Sequence, residues 1–245
     1  MTTLLFPFAN TLVKLSGMLV RGKDEEVVET KKEPVLQVDE RVLLTPAFAV
    51  QSGSVEVARM GSIALKSLNA AMGAINTKSL DDLKTVAQCE QTLDDMQEAL
   101  TEYLIKVDNL SLSESQKKHV NNLFNMVTDI ERVGDHADNL SENAKYMIDN
   151  NLEFSDLGKE DLAEISKDSI EAFEIALNAR SGDALKAIRK VNKLEDEVDM
   201  LEDEFREKHI ERLSKGDCNP QAGIAFLDII SNLERVSDHA TNIAG

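Results

Sequence analysis

The chain has 245 residues with only 11 Gly, 4 Pro, no Trp and 4% aromatic side chains. So few turn and β-favouring residues exclude a sandwich or barrel, and the Ala, Leu, Glu, Lys, Asp and Met that dominate are helix formers. A formal net charge of −18 excludes a nucleic-acid or anionic-membrane surface, which needs clustered Lys and Arg.

Residues 1–22 begin with the apolar run "MTTLLFPFANTLVKLSGMLV", interrupted by Pro7 and Lys14 and too short for a full membrane span. It lacks the basic start and small-residue cleavage site of a secretory signal. Two readings stay open: the end of a transmembrane helix, or an amphipathic arm buried on the protein. Residues 23–44 mix charges of both signs around Pro34 and read as a linker leading into the first helix.

Helical periodicity then runs almost unbroken. The first helix is expected from Thr45 to Ile75, and the second from Leu80 to Val107 behind the cap Ser79. A third follows "SLSESQ", where Ser111/Glu114 and Ser113/Gln116 both have capping-box spacing, and ends at Ile148. The fourth ends at Asn178 before the breaker "RSGD", and the fifth runs from Asp183 to Leu213. The sixth opens with Asn219 as N-cap and Pro220 in the first turn. Six long helices imply an all-α fold of two tandem three-helix bundles, residues 45–150 and 151–245. Cys89 and Cys218 are too few and too distant for a disulfide framework and read as reduced thiols, Cys89 in the core.

The two halves share a polar stretch. "DIERVGDHADNL" at 129–140 returns as "NLERVSDHATNI" at 232–243, and seven of the ten positions from Glu131 to Leu140 match those 103 residues later. On a 3.6-residue period Leu123, Val127, Ile130, Gly134, Ala137 and Ala144 face the bundle. Glu131 and Asp135 each follow a seam residue and stack one turn apart at the edge of the core. Glu234 and Asp238 do the same after Leu233 and Ser237. Two further pairs share this geometry: Glu90 and Asp94 after Cys89 and Leu93, and Glu195 and Asp199 after Leu194 and Val198.

Like charges at i,i+4 destabilise a helix, so a chain that repeats them either solvates them or neutralises them. With 45 acidic residues a single such pair means little. Four pairs in one relation to the core point to hard cations with oxygen ligands, such as Mg²⁺, Mn²⁺, Ca²⁺ or ferric iron, in one multinuclear site per half. Asn139 and Asn242 lie one turn beyond, placed either to support a site or to bond between helices. His136 and His239 are expected to point further outward, and Arg132 and Arg235 to neutralise the neighbouring carboxylates.

"DIERVGDHADNLSE" and "NLERVSDHATNIAG" resemble the signature of PhoU domains, and "LEDEVDMLEDEFRE" is similar to that family's middle-helix stretch. The resemblance covers roughly residues 45–245. It implies two three-helix bundles with metal clusters on their surface, one held by Glu90, Asp94, Glu131 and Asp135 and one by Glu195, Asp199, Glu234 and Asp238. Iron is the first expectation, with zinc, manganese, magnesium or nickel as alternatives, and His136, Asn139, His239 and Asn242 would lie beside the ligands. The front of the chain with "VDERVLLTPAFAV" resembles the junction in bacterial sodium-dependent phosphate cotransporters. That likeness implies a regulatory tail on the cytoplasmic face of the membrane, with the transporter's membrane domain as partner. A separate PhoU-type regulator of a transporter or phosphate-signalling protein is the alternative, and a metal-free structural module a second. Inorganic phosphate could join the metal as a ligand, and an oligomer is open. No enzyme is expected: none of the four histidines has Glu three residues before it, as di-iron carboxylate oxidases require, and no phosphate-binding glycine loop is present.

Overall fold

A computed structural model describes residues 35–179 and 184–245. The apolar run and most of the charged linker fall outside those residues. A short 3-10 helix, Glu40–Leu44, precedes six α-helices: α1 Pro46–Thr77, α2 Leu80–Asp108, α3 Glu114–Asp149, α4 Asp156–Asn178, α5 Ala184–Lys215 and α6 Pro220–Ala244.

The punctuation acts largely as the sequence anticipates. Ser79 accepts from the Asp82 amide at 3.2 Å and starts α2. Of the two capping boxes available to α3, the chain uses the later one. The Ser113 hydroxyl accepts the Gln116 amide while the Gln116 side chain accepts the Ser113 amide, satisfying two donors that a helix start leaves open. Asn219 caps α6 through the amides of Gln221 and Ala222. Gly216 ends α5 at φ 74°, a left-handed position that glycine adopts without a Cβ penalty.

Helices α1, α2 and α3 pack on one another, as do α4, α5 and α6. Each repeat then meets the other through equivalent elements, α3 on α6 and, less extensively, α1 on α4. A contact between like surfaces is the mark of an internal two-fold relation. The expectation of two bundles joined by a loop is therefore too loose. One continuous apolar cluster runs through both repeats.

The wider burial on α3 shows why. Beyond the predicted seam it also buries Met126, Val133, Leu140 and Met147, a second stripe. Val133 and Leu140 correspond to Val236 and Ile243, so the shared polar stretch also carries an apolar pair in each half. All four lie on the same side of their helix as the motif histidine. Large aromatic volumes are concentrated in the second half, where Phe173 and Phe226 are fully buried. Replacing Phe173 by Ala is expected to lower unfolding free energy by about 3–5 kcal/mol in denaturant titration, the usual cost of an emptied core site.

Candidate metal centre and the contact between the repeats

The sites depend on how closely the middle and last helix of each repeat approach. On α3, a Cβ at Gly134 would lie 2.6 Å from Leu93 Cδ1 and 3.5 Å from Glu90 Oε2, so the bare glycine lets α2 press against α3. The equivalent residue on α6, Ser237, is fully buried and its hydroxyl donates to the Glu234 carbonyl at 2.7 Å. A residue of minimal size beside each acidic pair brings two helices, and hence two carboxylate stripes, side by side.

In the second repeat the stripes converge. Glu195, Asp199 and Asp238 each place one carboxylate oxygen within 4.8 Å of the other two. Oxygens so spaced leave a point within about 2.8 Å of all three, a few tenths more than the 2.3–2.6 Å of a Ca²⁺ site. Small side-chain adjustments would bring in a hard cation, and the all-oxygen donor set suits one. Among the described residues no Lys or Arg forms an ion pair with any of the three. Burial and the charge of Asp199 push the Glu195 carboxyl up, and burial with Asp238 does the same to Asp199. Glu234 borders the group. Burial first, then Asp238, push its carboxyl up to about 7, against partial relief from Arg235 at 3.5 Å.

The first repeat gathers its four carboxylates more loosely. Burial, then Asp94, Asp135, Asp138 and Glu131, push the Glu90 carboxyl up to about 7. Glu131 is also raised, by burial and Asp135. Arg132 stands 3.1 Å from Asp135 and 3.8 Å from Glu131, neutralising part of this stripe as the sequence suggested. Among the described residues only the second repeat brings three donor atoms within 4.8 Å.

The motif histidines and asparagines have a different place from the one expected. Instead of pointing outward, His136 and His239 are partly buried at the contact between α3 and α6, with ring centroids 5.6 Å apart. His136 Nδ1 lies 2.9 Å from Asn232 Oδ1, and His239 Nδ1 lies 2.9 Å from Asp129 Oδ1. Asn139 donates to the same Asn232 oxygen at 3.4 Å, and Asn242 to the same Asp129 oxygen at 3.2 Å. Asp129 and Asn232 are themselves equivalent positions, so the two sets form a reciprocal clasp. Because the Asn232 amide nitrogen donates to the Asp228 carbonyl, its oxygen is the acceptor and His136 holds its proton on Nδ1. Burial, despite the Asn232 bond, depresses the His136 pKa and keeps that ring neutral. These four side chains spend their Nδ1 and amide donors on the neighbouring repeat.

Two further acids were missed. Asp138 raises the Glu90 carboxyl, and the buried Glu202 raises those of Asp199 and Glu234 while pairing with Arg206. Each lies seven residues after a motif glutamate, Glu131 and Glu195, and so on the same helical face. A search two turns long instead of one would have found both. Asp129 and Asn232 open the two related stretches but differ from each other, so an identity count passes over them.

A duplicated all-α bundle with paired acidic stripes and an isologous contact defines the class. The PhoU domain model matches residues 57–144 and 161–245, more than half of the chain, and the protein belongs to that family. It is 21% identical over 189 residues to the phosphate-specific transport system accessory protein PhoU homolog 1 of Thermotoga maritima, covering 77% of this chain and 81% of that one. It is 25% identical over 196 residues to the corresponding PhoU homolog of Clostridium acetobutylicum, covering 77% and 85%. The crystal structure of PhoU from Pseudomonas aeruginosa superposes with a TM-score of 0.74 at 20% identity, over 80% of this chain and 93% of the other. The phosphate transport system regulatory protein PhoU from Streptococcus pneumoniae gives 0.72 at 20% identity, over 81% and 93%. The named relatives are accessory proteins, not cotransporters, and the family match begins beyond the junction on which the transporter likeness rested. Among the described residues no helix is long and apolar enough to cross a membrane.

Two outcomes follow from this geometry. Between about pH 4.5, the ordinary glutamate value, and about 7, folded Glu90 and Glu234 retain a proton that the unfolded chain releases. The unfolded state thus binds fewer protons, and stability falls as pH rises through that window. Thermal melts of chelator-treated protein should show the fall, and Glu90→Gln/Glu234→Gln should flatten it. Asn232→Leu, which deprives His136 Nδ1 of its acceptor, is expected to cost about 1–3 kcal/mol in denaturant unfolding.

Proposed function

We propose that the protein is a PhoU-type regulator of phosphate transport that acts by binding, on a separate transport system or phosphate-signalling protein. The family match in both repeats and the accessory-protein relatives support this reading over a tail fused to a sodium-dependent cotransporter. We further propose that the acidic stripes hold hard metal ions. The second repeat provides the principal site through Glu195, Asp199 and Asp238, with Glu234 beside it. The first provides a second site through Glu90, Asp94, Glu131 and Asp135. The observation that carries this is the convergence of three carboxylates, each with an oxygen within 4.8 Å of the others and without an ion pair among the described residues. Such crowding raises their affinity for protons, and a cation that relieves it gains the same electrostatic energy. Iron, manganese and magnesium fit oxygen donors better than zinc or nickel, which favour nitrogen and sulfur.

Bound metal would neutralise an acidic patch and so change what that surface can recognise. Metal analysis by mass spectrometry, on protein purified without an immobilised-metal column, should find a hard metal in the wild type. Asp199→Asn/Asp238→Asn should lose at least the second repeat's share while keeping the helical content. Added metal at about one hundred times its Kd should raise wild-type stability by about 2.7 kcal/mol. A wild type with no bound metal and an unchanged melt on metal addition would reduce the stripes to solvated faces.

A further inference from the structure

At the far end of the second repeat, α5 carries a buried cation whose hydrogen-bonding capacity is mostly unspent. Arg212 is 8% exposed, and its Nη1 donates to Asp161 of α4 at 2.7 Å. Its Nε and Nη2 are sealed from solvent and have no hydrogen-bond partner among the described residues. The guanidinium carbon lies 5.4 Å from the ring centre of Phe226, which is also stacked on His209 at 4.6 Å. Burial and the Arg212 charge depress the His209 pKa, so the imidazole is neutral. Asp161 is thus the carboxylate in contact with Arg212, and it occupies one edge of the guanidinium. The Nε/Nη2 edge, a parallel pair of donors, is the part of arginine that fits an oxyanion in bidentate fashion.

Arg212 forms part of the lining of a groove of about 300 Å³ between the start of α4 and the end of α5, where Lys208 and Lys215 stand with three carboxylates, Asp161, Glu211 and Asp217. Lys208 pairs with Glu204 and Lys215 with Glu211, both at 2.6 Å. All four of the paired side chains are well exposed, and such solvent-screened i,i+4 pairs are weak, so both ammonium groups can exchange partners. Buried donors left open are costly, and among the described residues none supplies the missing acceptor.

We propose that this groove binds one small tetrahedral oxyanion, inorganic phosphate, which Nε and Nη2 of Arg212 receive when the guanidinium turns that edge from its sealed position into the groove, with Lys208 and Lys215 closing over it. The site lies thirteen residues along α5 from Asp199, about 20 Å away, and does not depend on metal.

The test is calorimetric titration of inorganic phosphate into chelator-treated, full-length protein. Saturable binding of one phosphate per chain is expected. It should weaken at least tenfold in Lys208→Ala/Lys215→Ala, whose exposed sites leave the fold intact. It should also be lost in Arg212→Lys, which keeps a charge for Asp161 but removes the paired donors. Asp199→Asn/Asp238→Asn should bind phosphate as the wild type does. No saturable heat, unchanged binding in the lysine and arginine variants, or loss in the aspartate variant would overturn the site. Equal competition by sulfate would overturn phosphate as its specific ligand. Binding only to vesicles containing phosphatidic acid would overturn free phosphate in favour of a lipid phosphate.

Discussion

Helices α3 and α6 each have to satisfy two neighbours at once, and the rest of the molecule is arranged around that requirement. One face of each closes its own three-helix bundle, and an adjacent face meets the equivalent helix of the other repeat. Where the bundle-facing seam of each helix borders solvent, on the side away from that contact, sit Glu131 and Asp135 on α3 and Glu234 and Asp238 on α6. The reciprocal bonds of His136 to Asn232 and of His239 to Asp129 fix how α3 and α6 meet. Each histidine directly follows a motif aspartate, so the clasp also fixes the backbone from which that aspartate projects.

The carboxylate stripes can then be understood as a strain the fold imposes. Burial beside the core and mutual repulsion both oppose ionisation of Glu90 and Glu234, yet the close approach allowed by Gly134 and Ser237 leaves them nowhere to go. The two repeats do not carry this strain equally. In the first, Arg132 lies within 4 Å of two motif carboxylates. In the second, Arg235 pairs with Glu234, and Glu195, Asp199 and Asp238 are left to crowd one another. The duplicated sequence thus yields two related sites with different electrostatics. The same divergence separates Asp129 from Asn232, which makes one half of the clasp acidic and the other neutral.

Much of this was legible along the chain, because helices and caps are local. Ser79, Ser113 and Asn219 act at the positions where their hydroxyls and amide oxygens meet helix starts, and every predicted seam residue of α2 and α3 is buried. The placement of four acidic pairs next to the core follows from the 100° step between consecutive helical residues. Less visible were the features that depend on a partner helix. Val133 and Leu140 look like surplus apolar residues until α6 covers them. His136 beside Asp135 looks like a solvent-facing residue until Asn232 arrives from 96 residues away.

The sequence by itself determined the helix count, the internal duplication and the residues that compose both acidic stripes, since each rests on periodicity within one segment. Only the tertiary structure decided that the repeats share one core and that the motif histidines join them. It also decided that three carboxylates of the second repeat bring oxygens within 4.8 Å of one another and that two donors of Arg212 have no partner among the described residues. Those facts depend on distances between helices far apart in the chain, which are set by how side chains of different segments fit together and leave no periodic trace in any one of them.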